Sequence, residues 1–306
     1  MRRRYLSLQP FIPWMHSERP IDWRRRFGRE APIIVEIGFG NGAYLVRQAQ
    51  EQPERDFVGI ELEWPSVQRG LRRIAQAGVS NVRILQVDAR VAFERLFTPR
   101  SVHHIYSLFP CPWRKEKHIK HRLFGHGFLK LLNSRLVDGG TIHVVTDYEP
   151  YVEWIVEQAQ GTGFDLRVER IPPRYGTKYE RKWLEQGQAH FFELWFAKET
   201  HVDIPLKEDI PLKTYRVARF DPKRFQPKET RGDITVVFKA FLYDPERQTG
   251  MVRVVAVEEG LTQDFWIEIT PHKGQWAIRP APGCGFVPTV AVQRALDLVY
   301  EAARGE

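Results

Sequence analysis

Between residues 32 and 199, short apolar runs alternate with stretches whose apolar residues recur every three or four positions. The runs at Ile33–Ile37, Phe57–Glu61, Val82–Val87, His104–Leu108, Thr141–Thr146, Phe164–Arg170 and Phe191–Ala197 predict seven strands. Helical spacing fills gaps between them, at Ala43–Glu51, Pro65–Ala77 and Tyr151–Gln160, and Gly78 and Gly161 stand where helices would stop. Strands that alternate with helices build a mostly parallel sheet with helices on both faces, an α/β class. The last strand follows a basic loop instead of a plain crossover.

Beyond Glu199 the rhythm changes. Pro205, Pro211, Pro222 and Pro227 are spread through charged residues up to Gly232, the signature of a linker or an irregular wrap. Strand patterns then follow at Ile234–Tyr243, Met251–Val257, Phe265–Thr270 and Gln275–Ile278, with turns such as Asp244-Pro245 and Lys273-Gly274 between them. With no helix intervening, these strands should pair antiparallel, and a helix at Pro288–Ala303 should pack on them. The expected organisation is a basic N-terminal arm (1–31), an α/β domain (32–199), a Pro-rich linker (200–232) and a small α+β C-terminal domain (233–306).

Composition suits that organisation. A chain of 306 residues exceeds one ordinary core, and nine Trp and nineteen Phe supply material for two. Cys111 and Cys284 form no closely spaced pair, so neither a disulfide framework nor a four-cysteine zinc site is available, and a reducing cytoplasm is expected. The basic start at Arg2–Arg4 resembles that of a signal peptide, but Pro10, Pro13, His16 and Glu18 interrupt any apolar stretch. No membrane association is expected, because no segment nears the roughly 20 apolar residues of a membrane helix. The net charge of +8 is unevenly placed: Lys and Arg number 31 against 23 Asp and Glu in residues 1–199, and 15 against 15 thereafter. The basic residues bunch at Arg2–Arg4, Arg24–Arg26, Arg114–Arg122 and Arg174–Lys182, which points to a polyanionic partner.

The first strand runs into Glu36-Ile37-Gly38-Phe39-Gly40-Asn41-Gly42. Gly38, Gly40 and Gly42 allow a sharp turn and close approach of a nucleotide-like ligand, but the spacing is not the G-x-G-x-x-G of a dinucleotide loop. Glu36, just before the turn, would repel a pyrophosphate and suits the cationic end of S-adenosylmethionine. Glu61 ends the second strand and is suited to accept from two ribose hydroxyls. Asp88 ends the third and is suited to accept from an adenine amino group. Any one of these is ordinarily a solvated strand-end carboxylate; three at successive strand ends are a cofactor pattern.

Three further segments follow: Leu108-Phe109-Pro110-Cys111-Pro112-Trp113-Arg114-Lys115-Glu116-Lys117-His118, Thr146-Asp147-Tyr148-Glu149-Pro150-Tyr151 and Thr177-Lys178-Tyr179-Glu180. With these motifs in this order, Ile21–Lys198 closely resembles the tRNA (guanine-N7) methyltransferase family. The resemblance implies a seven-stranded, Rossmann-like class I methyltransferase fold, S-adenosylmethionine as cofactor, tRNA as partner and methylation of a guanosine in the variable loop. It also implies that Glu36, Glu61, Asp88 and the residue at Cys111 contact cofactor, and that Lys115, Asp147, Thr177, Lys178, Tyr179 and Glu180 contact the nucleotide. Guanine N7 already carries a lone pair, so rate would come from in-line positioning and from carboxylates such as Asp147 near the charge growing on the purine. Lys115 would hold a phosphate.

Cys111 departs from the family, which places Asp between the two prolines. A thiol is a poor acceptor and cannot replace a carboxylate fully. With Asp147 and Cys111 as the catalytic candidates, three readings of Cys111 stand: a tolerated variant in which neighbouring acceptors hold cofactor and guanine; a nucleophile, as in RNA cytosine-C5 methyltransferases that use a Pro-Cys pair; or a homologue that binds tRNA but methylates slowly or not at all. Cys111, His118, His121 and His126 match no familiar zinc spacing and lie in a basic run, so no metal is expected. Trp113, Tyr148, Tyr151 and Tyr179 are candidates to stack on an extruded base, with half or more of them expected in the core, His103 and His104 are structural or surface residues, and a homodimer is entertained.

Overall fold

The computed structural model describes residues 6–305. The chain divides into two compact units, one ending at Lys207 and the other beginning at Glu208. Elements of the first unit are α1 (Trp23–Phe27), β1 (Ile33–Ile37), α2 (Ala43–Glu51), β2 (Asp56–Glu61), α3 (Trp64–Ala77), β3 (Val82–Gln86), α4 (Ala89–Arg95), β4 (Val102–Leu108), α5 (His126–Arg135), β5 (Leu136–Thr146), α6 (Glu149–Ala159), β6 (Phe164–Ile171), α7 (Lys178–Glu185) and β7 (Phe191–Lys198). The second unit holds β8 (Tyr215–Val217), β9 (Ile234–Asp244), β10 (Thr249–Glu258), β11 (Leu261–His272), β12 (Gln275–Pro280) and α8 (Val290–Arg304).

Among the described residues the first unit forms one seven-stranded sheet in the order β3-β2-β1-β4-β5-β7-β6. Pairing is parallel from β3 to β5, and β7 runs antiparallel between β5 and β6. This is the class I methyltransferase topology. β1 is buried along its whole length because helices cover both faces, so it reads as an unbroken apolar run except for Glu36. The order of the strands reverses between the parallel neighbours β1 and β4, and the crevice at their carboxyl ends is where such sheets receive ligands.

Two differences from the sequence reading have physical causes. The arm of residues 1–31 is packed structure from Leu6 on: Ile12, Trp14, Ile21 and Trp23 are buried, and Phe11 bridges to Ile84 of β3. Its apolar residues follow no helical or strand period, so they do not announce a core role; Arg2–Arg4 lie outside the described residues. Within residues 200–232, expected as a linker, Tyr215–Val217 pairs with β12 and completes a five-stranded sheet, β8-β12-β11-β10-β9. Tyr151, one of the four aromatics weighed between stacking and the core, is fully buried on α6 and belongs to the core.

In the second unit, alternate residues of the antiparallel strands, among them Val252, Val254, Ala256, Phe265, Ile267 and Ile269, form a core with Ala291, Val292, Ala295, Leu296 and Val299 of α8. Thr289 caps α8 by accepting from the Val292 N–H.

Candidate active site

A cleft of about 680 Å³ opens at the carboxyl ends of β1, β2, β3 and β4. Its wall begins at the β1–α2 turn, where Gly38, Gly40 and Gly42 adopt positive φ angles of 73°, 58° and 70°. Phe39 is carried inward by this turn, and its ring fills space that a side chain at Gly70 of α3 would take: a Cβ there would meet the ring at 2.7 Å. The turn is thus braced from beneath by residues that a sequence pattern does not mark.

Glu36, Glu61 and Asp88 all line the cleft. Glu61 accepts the Gly40 N–H at 3.0 Å and the Leu62 N–H at 2.8 Å, tying the end of β2 to the glycine turn. Asp88 caps α4 by accepting from the Arg90 N–H at 2.7 Å. Glu36 is buried, and its Oε2 has no hydrogen-bond partner. Burial, and then the negative charge of Glu61, push its carboxyl up to about 8, against smaller opposing effects of the Arg47 charge and the Leu45 N–H. A buried carboxyl with an unused oxygen on a cleft wall is built to meet a cation or a donor.

The segment after β4 forms another wall. Phe109 and Trp113 take positive φ values of 59° and 44°. Cys111 lies between them, exposed on the cleft wall with Trp113 and His121 beside it in the lining. Trp113 packs on the rings of His118 and His121. Among the described residues no group of three or more His, Cys, Asp or Glu is arranged to hold a metal ion.

Thr177, Lys178 and Tyr179 also line the cleft, and Tyr179 is exposed. Thr177 caps α7 by accepting from the Glu180 N–H. The Glu180 carboxylate, expected to contact the nucleotide, is buried and accepts instead from the backbone N–H groups of Arg174, Tyr175 and Gly176. Its position on the first turn of α7 leaves it beneath the loop, not in the cleft. Glu193 of β7 anchors the same loop through the Tyr175 hydroxyl and the Arg174 guanidinium, with His143 Nδ1 at 3.5 Å. Burial works against the Glu193 charge, but hydrogen bonds from His143 and Tyr175 and the charge of Arg174 outweigh it and hold the carboxyl low.

Gly42, Lys115 and Asp147 lie outside the cleft lining. Gly42 is the residue preceding α2, Lys115 is exposed, and the Asp147 carboxylate pairs with Arg114 at 3.1 Å. Arg114 in turn lies over the Tyr148 ring at 4.8 Å. Ser66, Arg69, Tyr44 and Leu123, which sequence reasoning passed over, do line the cleft, as does Phe109 of the motif after β4. Only the Arg69–Ser66 spacing on α3, which joins their side chains at 2.8 Å, left a trace in the sequence.

Comparison with known proteins decides the family. The family model described as "Putative methyltransferase" matches residues 30–193. A tRNA (guanine-N(7)-)-methyltransferase of Thermotoga maritima is 30% identical over 92% of this chain and 92% of its own length. The chain belongs to the tRNA (guanine-N7) methyltransferase family. The family member of Chlorobium phaeobacteroides is 44% identical over 56% of this chain and 84% of its own length. That of Aquifex aeolicus is 31% identical over 95% and 98%, so the likeness to this methyltransferase extends into the second unit. Homodimerisation finds no support in the fold or in these likenesses. Among the described residues no helix is long and apolar enough to cross a membrane.

Proposed function

We propose that this chain transfers a methyl group from S-adenosylmethionine to N7 of a guanosine in the variable loop of tRNA. The observation that carries the reading is the unpartnered Oε2 of Glu36, buried on the wall of a cleft that also holds Glu61 and Asp88 at the ends of adjacent strands. Family membership supports it. Glu36 would accept from the cofactor ammonium, Glu61 from the ribose hydroxyls and Asp88 from the adenine amino group. S-adenosylmethionine supplies an electrophilic sulfonium methyl when bound.

The remaining work falls to positioning. Guanine N7 has a lone pair and no proton to lose, so the chain must hold the base and does not need to deprotonate it. Thr177, Lys178 and Tyr179 sit on the cleft wall where a base or its phosphate would enter. Asp147 would offset positive charge growing on the purine, for which Arg114 must share or release it. Among the described residues no hydrogen bond joins the Cys111 thiol to a base that would activate it, which favours N7 transfer over covalent attack on cytosine. The reading carries a cytoplasmic location with it. Incubating tRNA with isotopically labelled S-adenosylmethionine and identifying the labelled nucleoside tests it. Labelled 7-methylguanosine is expected; 5-methylcytidine, or no labelled nucleoside, overturns it.

A further inference from the structure

A second concavity lies beside the cleft, on the outer side of the glycine turn. It spans about 510 Å³ between α2, α3 and the loop leading to α7, and its lining includes Arg47, Gln50, Arg73, Gln76, Gly176 and Arg181. No carboxylate is in that lining. Ala43 lines both this pocket and the main cleft, so the two adjoin.

Two of the arginines are held in place. Arg47 donates to the Tyr175 carbonyl at 2.7 Å, lies over the Tyr44 ring at 5.4 Å, and is 3.9 Å from the Glu51 carboxylate. Its guanidinium packs so closely on the loop that a Cβ at Gly176 would meet it at 2.9 Å. Arg73 donates through Nε to the Asn41 carbonyl at 3.1 Å, which fixes its head without neutralising it. Among the described residues neither Arg73 nor Arg181 has a carboxylate partner. Guanidinium groups oriented by backbone carbonyls, with forks left over and two glutamine side chains beside them, match the geometry of a phosphodiester.

We infer that the Arg47–Arg73–Arg181 pocket is a phosphate-binding subsite that grips the RNA backbone next to the nucleotide entering the cleft. The inference rests on RNA being the substrate. A phosphate held by Arg47 and Arg73, which are already ordered, costs little further side-chain entropy, so the pocket fixes the register of the strand as well as adding affinity. It also couples the strand to chemistry, because Arg47 and Arg181 bracket the loop and helix that carry Thr177 and Tyr179.

The test measures affinity for an unmodified tRNA transcript across a salt series, for wild type, Arg73→Glu, Arg181→Glu and the double variant. Arg167→Glu on edge strand β6, whose side chain is 75% exposed, makes the same charge change away from α2 and α3. Each pocket reversal is expected to weaken binding about tenfold or more and to flatten the salt slope by roughly one phosphate contact, and the double variant by about two. Arg167→Glu should do neither; S-adenosylhomocysteine affinity should stay at the wild-type value in Arg181→Glu and Arg167→Glu, and an unchanged thermal midpoint should show an intact fold in Arg73→Glu, whose side chain also holds the Asn41 carbonyl of the glycine turn. Pocket variants no worse than Arg167→Glu in affinity and slope overturn the subsite. Absence of labelled 7-methylguanosine with wild-type enzyme would instead overturn the proposed reaction, and the salt series would still decide the pocket.

Discussion

A carboxyl buried beside another negative group resists ionisation, and Glu36, next to Glu61 and pushed up to about 8, is such a group. Its folded value lies above the ordinary 4.5, so between those limits the folded protein binds a proton that the unfolded chain has lost. Stability from this group is therefore fully present below about 4.5 and declines as pH rises toward about 8. A cofactor ammonium favours the carboxylate, so binding near neutral pH should release a proton. Calorimetry in two buffers of different ionisation enthalpy should detect it in wild type and not in Glu36→Gln; equal proton release would contradict the role given to Glu36. Glu61→Ala should weaken S-adenosylhomocysteine binding by about 2–4 kcal/mol, since a charged acceptor for two hydroxyls is lost. Unchanged affinity by calorimetry would remove the ribose from Glu61. At Cys111, a thiol that is no nucleophile is dispensable: Cys111→Ser should keep methylation within about tenfold, or roughly 1.4 kcal/mol in the transition state. A serine variant inactive by several orders of magnitude, with 5-fluorocytidine RNA trapping the wild type, would mean covalent chemistry.

At the scale of elements, the loop before α7 is held from two sides, by Glu180 through backbone N–H groups and by Glu193 through the side chains of Arg174 and Tyr175. Glu180→Ala leaves those amides without their acceptor, so it should raise KM for tRNA severalfold and cost about 1–3 kcal/mol of stability. Hydrogen exchange faster at residues 174–177 but not in β1–β5 would bear this out; unchanged exchange would not. The strands of the first sheet are legible because burial on both faces leaves apolar runs, and the carboxylates at three strand ends stand out against them. Tyr215–Val217 is not legible: three residues among prolines carry no period, and only pairing with β12 makes them a strand. Phe39 and Gly70 are silent for a related reason, since their fit is a contact between elements far apart in sequence. The motif marks Glu180 but not its place beneath the loop, because a motif does not say which way a side chain on the first turn of a helix faces.

For the whole molecule, the excess of positive charge lies in residues 1–199, so tRNA affinity should fall steeply with salt, and most of that slope belongs to the first unit. Where the first unit ends matters to any dissection. Arg135, fully buried, donates to the Phe93, Ile204 and Pro205 carbonyls. A chain ending at Lys207 should keep these bonds and most of the salt slope. One ending at Lys198 strands a buried cation and should lose about 2–4 kcal/mol of stability. Equal thermal stability of the two would contradict the structural role of residues 199–207. The central claim concerns a single atom of the substrate. Replacing guanosine by 7-deazaguanosine throughout a tRNA transcript exchanges N7 for carbon while leaving Watson–Crick pairing intact. Methyl acceptance should disappear while tRNA binding stays within severalfold of the unmodified transcript; methyl transfer to the 7-deaza transcript at the normal rate would show that N7 is not the target.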